Sequence, residues 1–136
     1  METTTIWKND MAFVSEFDGH TIELNGASGP DGKRLGFGPK ALLLSGLAGC
    51  SGIDVVEMLH KMKVPFSKFE IHTEADLVEE NPKVFKDITI IYTIEATAEH
   101  EDKVKRAVDL SLEKYCGVAA MLKKNSAIIP KVILTA

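Results

Sequence analysis

Two cysteines, Cys50 and Cys116, are the residues of this 136-residue chain whose side chains suit redox chemistry. Each has glycine as a neighbour, in Gly49-Cys50-Ser51-Gly52 and in Cys116-Gly117, and small neighbours leave room for a substrate to approach a sulfur atom. Small residues also allow close packing, and free cysteine is among the most buried residue types. The residues alone therefore leave two interpretations open, a redox-active pair and two inert buried thiols.

The two cysteines differ in how their expected surroundings affect the thiol pKa. Cys116 directly precedes a short helical stretch, where free N–H groups would stabilise a thiolate. Cys50 lies too far inside its own helix to gain much from the helix N-terminus. Asp54 and Glu57 follow Cys50 by one and two turns, and close, ionised carboxylates there would raise its pKa. We therefore expect a structural role for both acids, and a lower Cys50 pKa would need a cation brought by the fold.

Signatures of metal and nucleotide sites are absent from the sequence. It has no phosphate loop, no dinucleotide-binding glycine pattern and no His-Glu-x-x-His motif. No cysteine–histidine spacing matches a zinc site, and the four histidines are far apart: His20, His60, His72 and His100. We therefore expect neither a metal nor a bound organic cofactor.

The charge balance and the apolar tracts limit the partners and the compartment. Sixteen basic against twenty acidic residues give a net charge of −4, so the chain has no long-range attraction for nucleic acid or anionic lipid. The longest strongly apolar tract, Ala41 to Gly49, is interrupted by Ser45 and is far shorter than the ~20 residues that span a bilayer. The N-terminus lacks a secretory signal. These features predict a cytoplasmic protein with no membrane or nucleic-acid partner, whose cysteines are reduced at rest.

The first half of the chain predicts a β-meander followed by a long helix. Alternating apolar residues flank Asp18-Gly19, a strong hairpin turn, and a glycine-rich loop follows from Asn25 to Gly38. Pro39 suits a first helical residue, and the pattern is helical from Ala41 to about Met62. This helix is nearly apolar all round in its first half, which is typical of burial inside the molecule or in a subunit interface.

The second half predicts a hairpin, a second helix and a closing strand. The hairpin strands have their core faces at Phe69–Leu77 and Ile88–Ala96, and the short connection between them favours antiparallel pairing. The second helix starts near Glu101, and its inward stripe consists of Val104, Ala107, Val108, Ser111, Leu112 and Tyr115. A short helical piece follows Cys116-Gly117, and Ile128–Leu134 forms a strand in which Pro130 indicates a sheet edge. The element order predicts a single α+β domain over residues 1–136.

Three segments resemble those of the OsmC/Ohr family. Gly38-Pro39-Lys40-Ala41-Leu42-Leu43-Leu44-Ser45-Gly46-Leu47-Ala48-Gly49-Cys50-Ser51 is similar to the helix that carries the family's peroxidatic cysteine. Pro82 to Tyr92 resembles the central hairpin, and Arg106 to Val118 resembles the segment of the second cysteine. The resemblance covers nearly the whole chain and places both cysteines in order.

This resemblance implies a fold, a partner and a mechanism. The fold is an intertwined homodimer in which antiparallel sheets wrap long central helices, with a thiol site at each end of the subunit interface. Cys50 would reduce an organic hydroperoxide and become a sulfenic acid, Cys116 would condense with it to a disulfide, and an external dithiol would reduce that disulfide. The reaction needs no metal or organic cofactor.

One position departs from the family pattern. In the peroxidase branches a glutamate follows the proline that opens the helix and pairs with an arginine, whereas this chain has Lys40 there. Arg34, in the glycine-rich loop, is the candidate for the thiolate-activating cation. The alternative is a dimer on the same scaffold that binds a small apolar or acidic ligand at the subunit interface, with cysteines that do not turn over.

Overall fold

The computed structural model describes residues 1–136, which divide into two units, Met1–Leu43 and Leu44–Ala136. The first unit holds three strands that pair antiparallel in the order β1-β2-β3. Their bounds are β1 Thr4–Asn9, β2 Ala12–Phe17 and β3 His20–Asn25. Asp18 and Gly19 connect β2 to β3 with φ values of 48° and 81°, the backbone geometry that glycine tolerates and that a two-residue hairpin requires. The predicted meander and its turn are confirmed.

The first unit presents large apolar side chains to its surroundings. None of its residues is buried, and Trp7 remains 61% exposed. The other exposed large apolar side chains of its strands and first turn are Ile6, Met11, Phe13, Phe17 and Ile22. A three-stranded sheet normally needs one covered apolar face for stability, so this sheet has a face that the unit itself does not cover.

Helix α1, Pro39–Lys61, begins in the first unit and continues into the second, as its sequence predicts. One stripe of this helix, repeating every four residues, is buried in the core: Leu47, Ser51, Val55 and Leu59. The opposite side stays open, with Ile53 65% exposed. Burial within the chain therefore accounts for one face of a helix that is apolar on several.

The second unit contains a three-stranded sheet in the order β4-β5-β6. Strands β4 Ser67–Leu77 and β5 Phe85–Glu95 pair antiparallel, as predicted, and β6 Ile128–Thr135 pairs parallel with β5. Strand β6 lies at the sheet edge, where Pro130 costs no ladder hydrogen bond to a further strand. The central strand β5 carries the fully buried face of the sheet: Ile88, Ile90, Tyr92 and Ile94.

Between β5 and β6 lie α2 Glu101–Leu110, a π-helical turn Ser111–Tyr115 and α3 Gly117–Leu122. The N–H of Cys116 donates to the carbonyl of Ser111 at 2.7 Å, an i→i−5 bond that inserts one extra residue into the turn. The predicted inward stripe is confirmed through Leu112 but is wrong at Tyr115, which is 55% exposed. The extra residue gives the inward position to Cys116.

Helix α1 also corrects the expectation about membrane-spanning length. It has 23 residues, and an 18-residue window within it has a mean hydropathy of 1.6, so it is long and apolar enough to cross a bilayer by length and composition. Counting only the uninterrupted tract from Ala41 to Gly49 missed this, because glycine, serine and cysteine break the tract without adding charge. Length and composition do not distinguish such a helix from a core helix, and this one packs Leu47, Val55 and Leu59 into the core of the second unit.

Candidate thiol site

The second unit brings the two cysteines together. Cys50 lies on α1 and is half-buried, whereas Cys116, which follows the π-helical turn, is only 3% exposed. Both are free thiols. Hydrogen bonding to Cys50 and the charge of its thiolate both affect the Cys116 sulfur, so the two side chains are neighbours. The chain thus joins residues far apart in sequence into one thiol pair.

The surroundings of Cys116 favour its thiol form. The pKa of Cys116 is raised to about 11, with burial as the largest cause and Cys50 and Asp54 acting in the same direction. The N–H of Ala119 donates to the Cys116 sulfur at 3.3 Å and opposes this shift. The expected bond from the start of α3 therefore forms and favours the thiolate, but desolvation outweighs it, so the pKa of Cys116 is raised.

A chain of buried hydroxyl groups lies beside the thiol pair. The Ser51 hydroxyl contacts the Tyr92 hydroxyl at 2.6 Å and the Ser111 hydroxyl at 2.8 Å. Ser111 donates to a carboxylate oxygen of Asp54 at 3.0 Å. Burial raises the pKa of Tyr92 to about 12, and the charges of Cys116 and Asp54 act in the same direction. Every buried polar side-chain atom in the structure has a hydrogen-bond partner.

The sequence predicts only one member of this hydrogen-bonded row of hydroxyl groups. The sequence predicts a structural role for Asp54, and the hydrogen bond that it accepts from Ser111 is a structural contact. Glu57, the other acid on this helix, is exposed. Ser111 belonged to the predicted inward stripe, and a hydroxyl on such a stripe needs a partner. That was the one available signal, because the partners Ser51 and Tyr92 come from distant elements.

Two cavities flank the outer part of α1. One, of about 460 Å³, is lined by Asp54, Glu57, Met58, Lys61, Met62, Leu110 and Tyr115. The other, of about 480 Å³, is largely apolar and runs along α1 and β4: Ala48, Gly49, Gly52, Ile53, Val56, Glu57, Phe69 and Ile71. Both cavities are lined by residues of the helix that carries Cys50, and Asp54 is one of the residues that line the first.

The cation candidate Arg34 and the departing residue Lys40 both belong to the first unit. Arg34 is exposed and forms an isolated β-bridge with Ser28, within a loop where Gly29 donates to the Lys33 carbonyl at 2.7 Å. Lys40 is exposed in the first turn of α1. The activating role of Arg34 stays a prediction. No group of three or more His, Cys, Asp or Glu side chains is placed to hold a metal ion.

The family model of OsmC-like proteins matches residues 29–131, about three quarters of the chain. The chain belongs to the OsmC-like family. The matched region runs from the glycine-rich loop to the last strand, so it contains both cysteines and the whole hydroxyl chain.

Curated relatives and solved structures agree with this family. Protein YhfA of Escherichia coli K12 is 34% identical over 125 residues, which are 91% of this chain and 90% of the relative. A hypothetical protein of Aquifex aeolicus has a TM-score of 0.86 at 26% identity, with 98% of this chain and 95% of the other covered. The organic hydroperoxide resistance protein OhrB of Bacillus subtilis has a TM-score of 0.65 at 16% identity, with 96% of each chain covered.

These likenesses establish the α+β fold of OsmC and Ohr proteins for this OsmC-like chain, as its sequence predicted. The name YhfA states no activity. The likeness to OhrB, at 16% identity, concerns the fold.

Proposed function

We propose that this OsmC-like protein is a thiol-dependent peroxidase that reduces organic hydroperoxides, with Cys50 as peroxidatic and Cys116 as resolving cysteine. The observation that carries the proposal is the contact between a partly exposed and a buried free thiol in one chain of this family. The fold shared with an organic hydroperoxide resistance protein supports the substrate class.

In the first step the Cys50 thiolate attacks the distal oxygen of the hydroperoxide. A sulfur–oxygen bond forms, the oxygen–oxygen bond breaks, and the alkoxide takes up a proton and leaves as the alcohol. The sulfur loses two electrons and becomes a sulfenic acid. Cys50 suits this step because it is the more accessible thiol of the pair.

In the second step Cys116 attacks the Cys50 sulfenic sulfur. A sulfur–sulfur bond forms, the sulfur–oxygen bond breaks, and hydroxide leaves with the Cys116 proton as water. Because the Cys50 charge is one cause of the raised Cys116 pKa, conversion of the thiolate to a neutral sulfenic acid removes that cause. Oxidation of Cys50 therefore favours ionisation of Cys116. An external dithiol then returns the disulfide to two thiols.

The working form that we propose is a cytoplasmic homodimer. Its support is the amount of apolar surface that a single chain leaves open, both on the strands of the first unit and on the outer side of α1. We propose residues 1–136 as one domain, since the family match crosses the boundary between the units at Leu43 and Leu44. The net charge of −4 argues against nucleic acid or anionic membrane as a partner.

The test mixes fully reduced protein with one equivalent of cumene hydroperoxide and follows the intact mass over seconds. We expect the wild type to lose two hydrogen atoms as the disulfide forms. Cys50→Ser should show no change, and Cys116→Ser should gain one oxygen and then stall or gain another. Hydrogen peroxide is the control substrate. It should react more slowly than cumene hydroperoxide if apolar contacts with the protein select the substrate.

An unchanged wild-type mass after minutes, or full turnover by Cys50→Ser, would overturn the peroxidase proposal. The alternative of a ligand-binding dimer would then be examined by native mass spectrometry for a small molecule that co-purifies. A Cys50 that reacts no faster than a free thiol would agree with that alternative.

A further inference from the structure

The hydroxyl chain connects the two segments that carry the thiols. Ser51 is the residue after Cys50 on α1, and Ser111 opens the π-helical turn that directly precedes Cys116. Their hydroxyl oxygens are 2.8 Å apart, and both residues are fully buried. The turn is closed by the bond from the Cys116 N–H to the Ser111 carbonyl at 2.7 Å. Each end of the Ser51–Ser111 contact is thus one covalent or hydrogen-bonded step from a cysteine.

The direction of the chain follows from counting hydrogens. Each hydroxyl group has one hydrogen to donate. Ser111 donates its hydrogen to Asp54, so Ser51 must donate to Ser111, and Tyr92 must donate to Ser51. Asp54 is the final acceptor, and Ser111 has only a longer alternative, the Ser51 carbonyl at 3.5 Å. The carboxylate therefore orders the whole chain from β5 through α1 to the turn.

We propose that Ser111 and Asp54 are positioning residues for disulfide formation, which hold the turn that carries Cys116 against the part of α1 that carries Cys50. This inference rests on the proposed function for its role in turnover. A disulfide requires sulfur atoms at about 2.0 Å and a narrow range of side-chain torsions, so anchored segments reach this geometry more often than loose ones. When closure is slow, a second peroxide molecule oxidises the waiting sulfenic acid to sulfinic acid.

The first experiment compares Ser111→Ala with Ser126→Ala by rapid-quench intact mass, with one and ten equivalents of cumene hydroperoxide. Ser126 is the matched control, because it is also buried and its hydroxyl donates to the Phe85 carbonyl at 3.2 Å, outside the chain. For Ser111→Ala we expect an unchanged rate of Cys50 oxidation, disulfide formation slowed by about tenfold, and sulfinic acid at the higher dose. The control variant Ser126→Ala should give the same ratio of disulfide to sulfinic acid as the wild type. Wild-type behaviour of Ser111→Ala would overturn the inference.

The second experiment separates the acceptor oxygen of residue 54 from its charge. Asp54→Asn keeps an oxygen that accepts from Ser111, so disulfide formation should stay within about threefold of wild type, whereas Asp54→Ala should slow it by about tenfold. Asp54→Asn should also move the pH dependence of closure to lower pH, since the lost charge raised the Cys116 pKa. Asp109→Asn, an exposed change of equal charge on α2, should leave the profile in place. Equal slowing by Asn and Ala with no pH shift contradicts the proposal.

The groups that affect this profile come from each element around Cys116. Cys50 and Asp54 face it from α1, and the Tyr92 hydroxyl interacts with it from β5. Directly after α3, the ammonium of Lys123 donates to the Leu112 carbonyl of the turn. Glu57 and Lys61 line the cavity that Asp54 also lines.

A third arm distinguishes failure of this inference from failure of the proposed function. Diamide, a general dithiol oxidant, converts the two thiols into a disulfide while it is itself reduced to the hydrazine, and no peroxide is needed. Ser111→Ala should close the Cys50–Cys116 disulfide about tenfold more slowly than Ser126→Ala under diamide. If the wild type does not react with peroxide, the peroxidase proposal fails. The diamide comparison still decides whether the hydroxyl chain positions the two thiols.

Discussion

At the scale of single residues, burial separates the two thiols. Cys116 is 3% exposed and has a pKa raised to about 11, whereas Cys50 is half-buried on α1. The N–H of Ala119 opposes this shift without reversing it, because one neutral hydrogen bond contributes less than the cost of burying a charge. The less accessible thiol is thereby kept protonated in the reduced protein.

The raised pKa of Cys116 predicts a pH-dependent stability. Between its ordinary value of 9.0 and about 11, the unfolded chain loses the proton while the folded chain keeps it. The free energy of unfolding is therefore complete below pH 9 and falls as the pH rises towards 11. Urea titrations of the reduced proteins at pH 8 and 10.5 measure this change. Between these pH values the free energy of unfolding of Cys116→Ala should fall by about 2 kcal/mol less than that of the wild type. Equal losses of unfolding free energy in the two proteins would contradict the raised pKa of Cys116. Tyr92, whose pKa is also raised, contributes to both proteins and does not affect the comparison.

The proposed activating role of Arg34 predicts a rate effect at Cys50. The chain has two arginines, so Arg106→Met on α2 is the matched control for Arg34→Met. If the guanidinium stabilises the negative charge that the attacking sulfur carries, its removal should slow Cys50 oxidation by about tenfold. The rate constant of the first oxidation step is measured by single-turnover mass spectrometry. Equal rates for the two variants would remove Arg34 from the site.

At the scale of elements, the π-helical turn explains where a helical pattern misplaced a residue. A spacing of 3.6 residues continues the stripe of α2 from Leu112 to Tyr115, but the i→i−5 bond from Cys116 to Ser111 adds a residue to the turn. Tyr115 then faces outwards, with the Lys114 ammonium 5.4 Å from its ring centroid, and Cys116 faces the core. One extra residue in a turn thus decides which side chain meets Cys50.

The buried stripe of α1 predicts where this helix is sensitive to truncation. Leu59 is fully buried in the core of the second unit, so Leu59→Ala should lower the free energy of unfolding by about 3 kcal/mol. Leu35, which is 63% exposed, is the matched control, and Leu35→Ala should change it by less than about 0.5 kcal/mol. Chemical denaturation of the reduced proteins measures both changes. A cost at Leu35 equal to that at Leu59 would show that Leu35 is covered in solution.

At the scale of the whole molecule, the distribution of burial is uneven. The buried core consists only of residues of the second unit, and the first unit has no buried side chain. The second unit also has exposed apolar residues, at Ile53 on α1 and at Ile129 and Ile133 on the edge strand β6. This much open apolar surface is unusual for a monomer and is the physical basis of the proposed homodimer.

The proposed dimer should dissociate when a charged residue is introduced into its apolar surface. Wild-type protein should sediment at twice the chain mass of 14.9 kDa, whereas Ile53→Glu should shift it towards the monomer. Val84→Glu is the matched control, because Val84 is also exposed but lies in the connection between β4 and β5. Sedimentation velocity at several concentrations measures the equilibrium. A wild type that stays monomeric throughout would contradict the proposal.

The local elements were predictable because their signals are local. The turn at Asp18-Gly19, the start of α1 at Pro39 and the antiparallel hairpin of β4 and β5 each depend on a few neighbouring residues, and the structure confirms all three. The family resemblance was also readable, since it rests on segments that are continuous in sequence, and the family match over residues 29–131 confirms it.

The surroundings of the thiols were decided by tertiary structure. Ser51, Tyr92 and Ser111 come from α1, β5 and the π-helical turn, and no local pattern links hydroxyl groups that meet only after the sheet and the helices have packed. The pKa of Cys116 is of the same kind, because helix position argued for a lower value and burial raised it. Sequence alone determined which elements form and that two cysteines were available; packing determined which thiol is buried, since desolvation depends on every neighbour that the fold brings within a few ångströms.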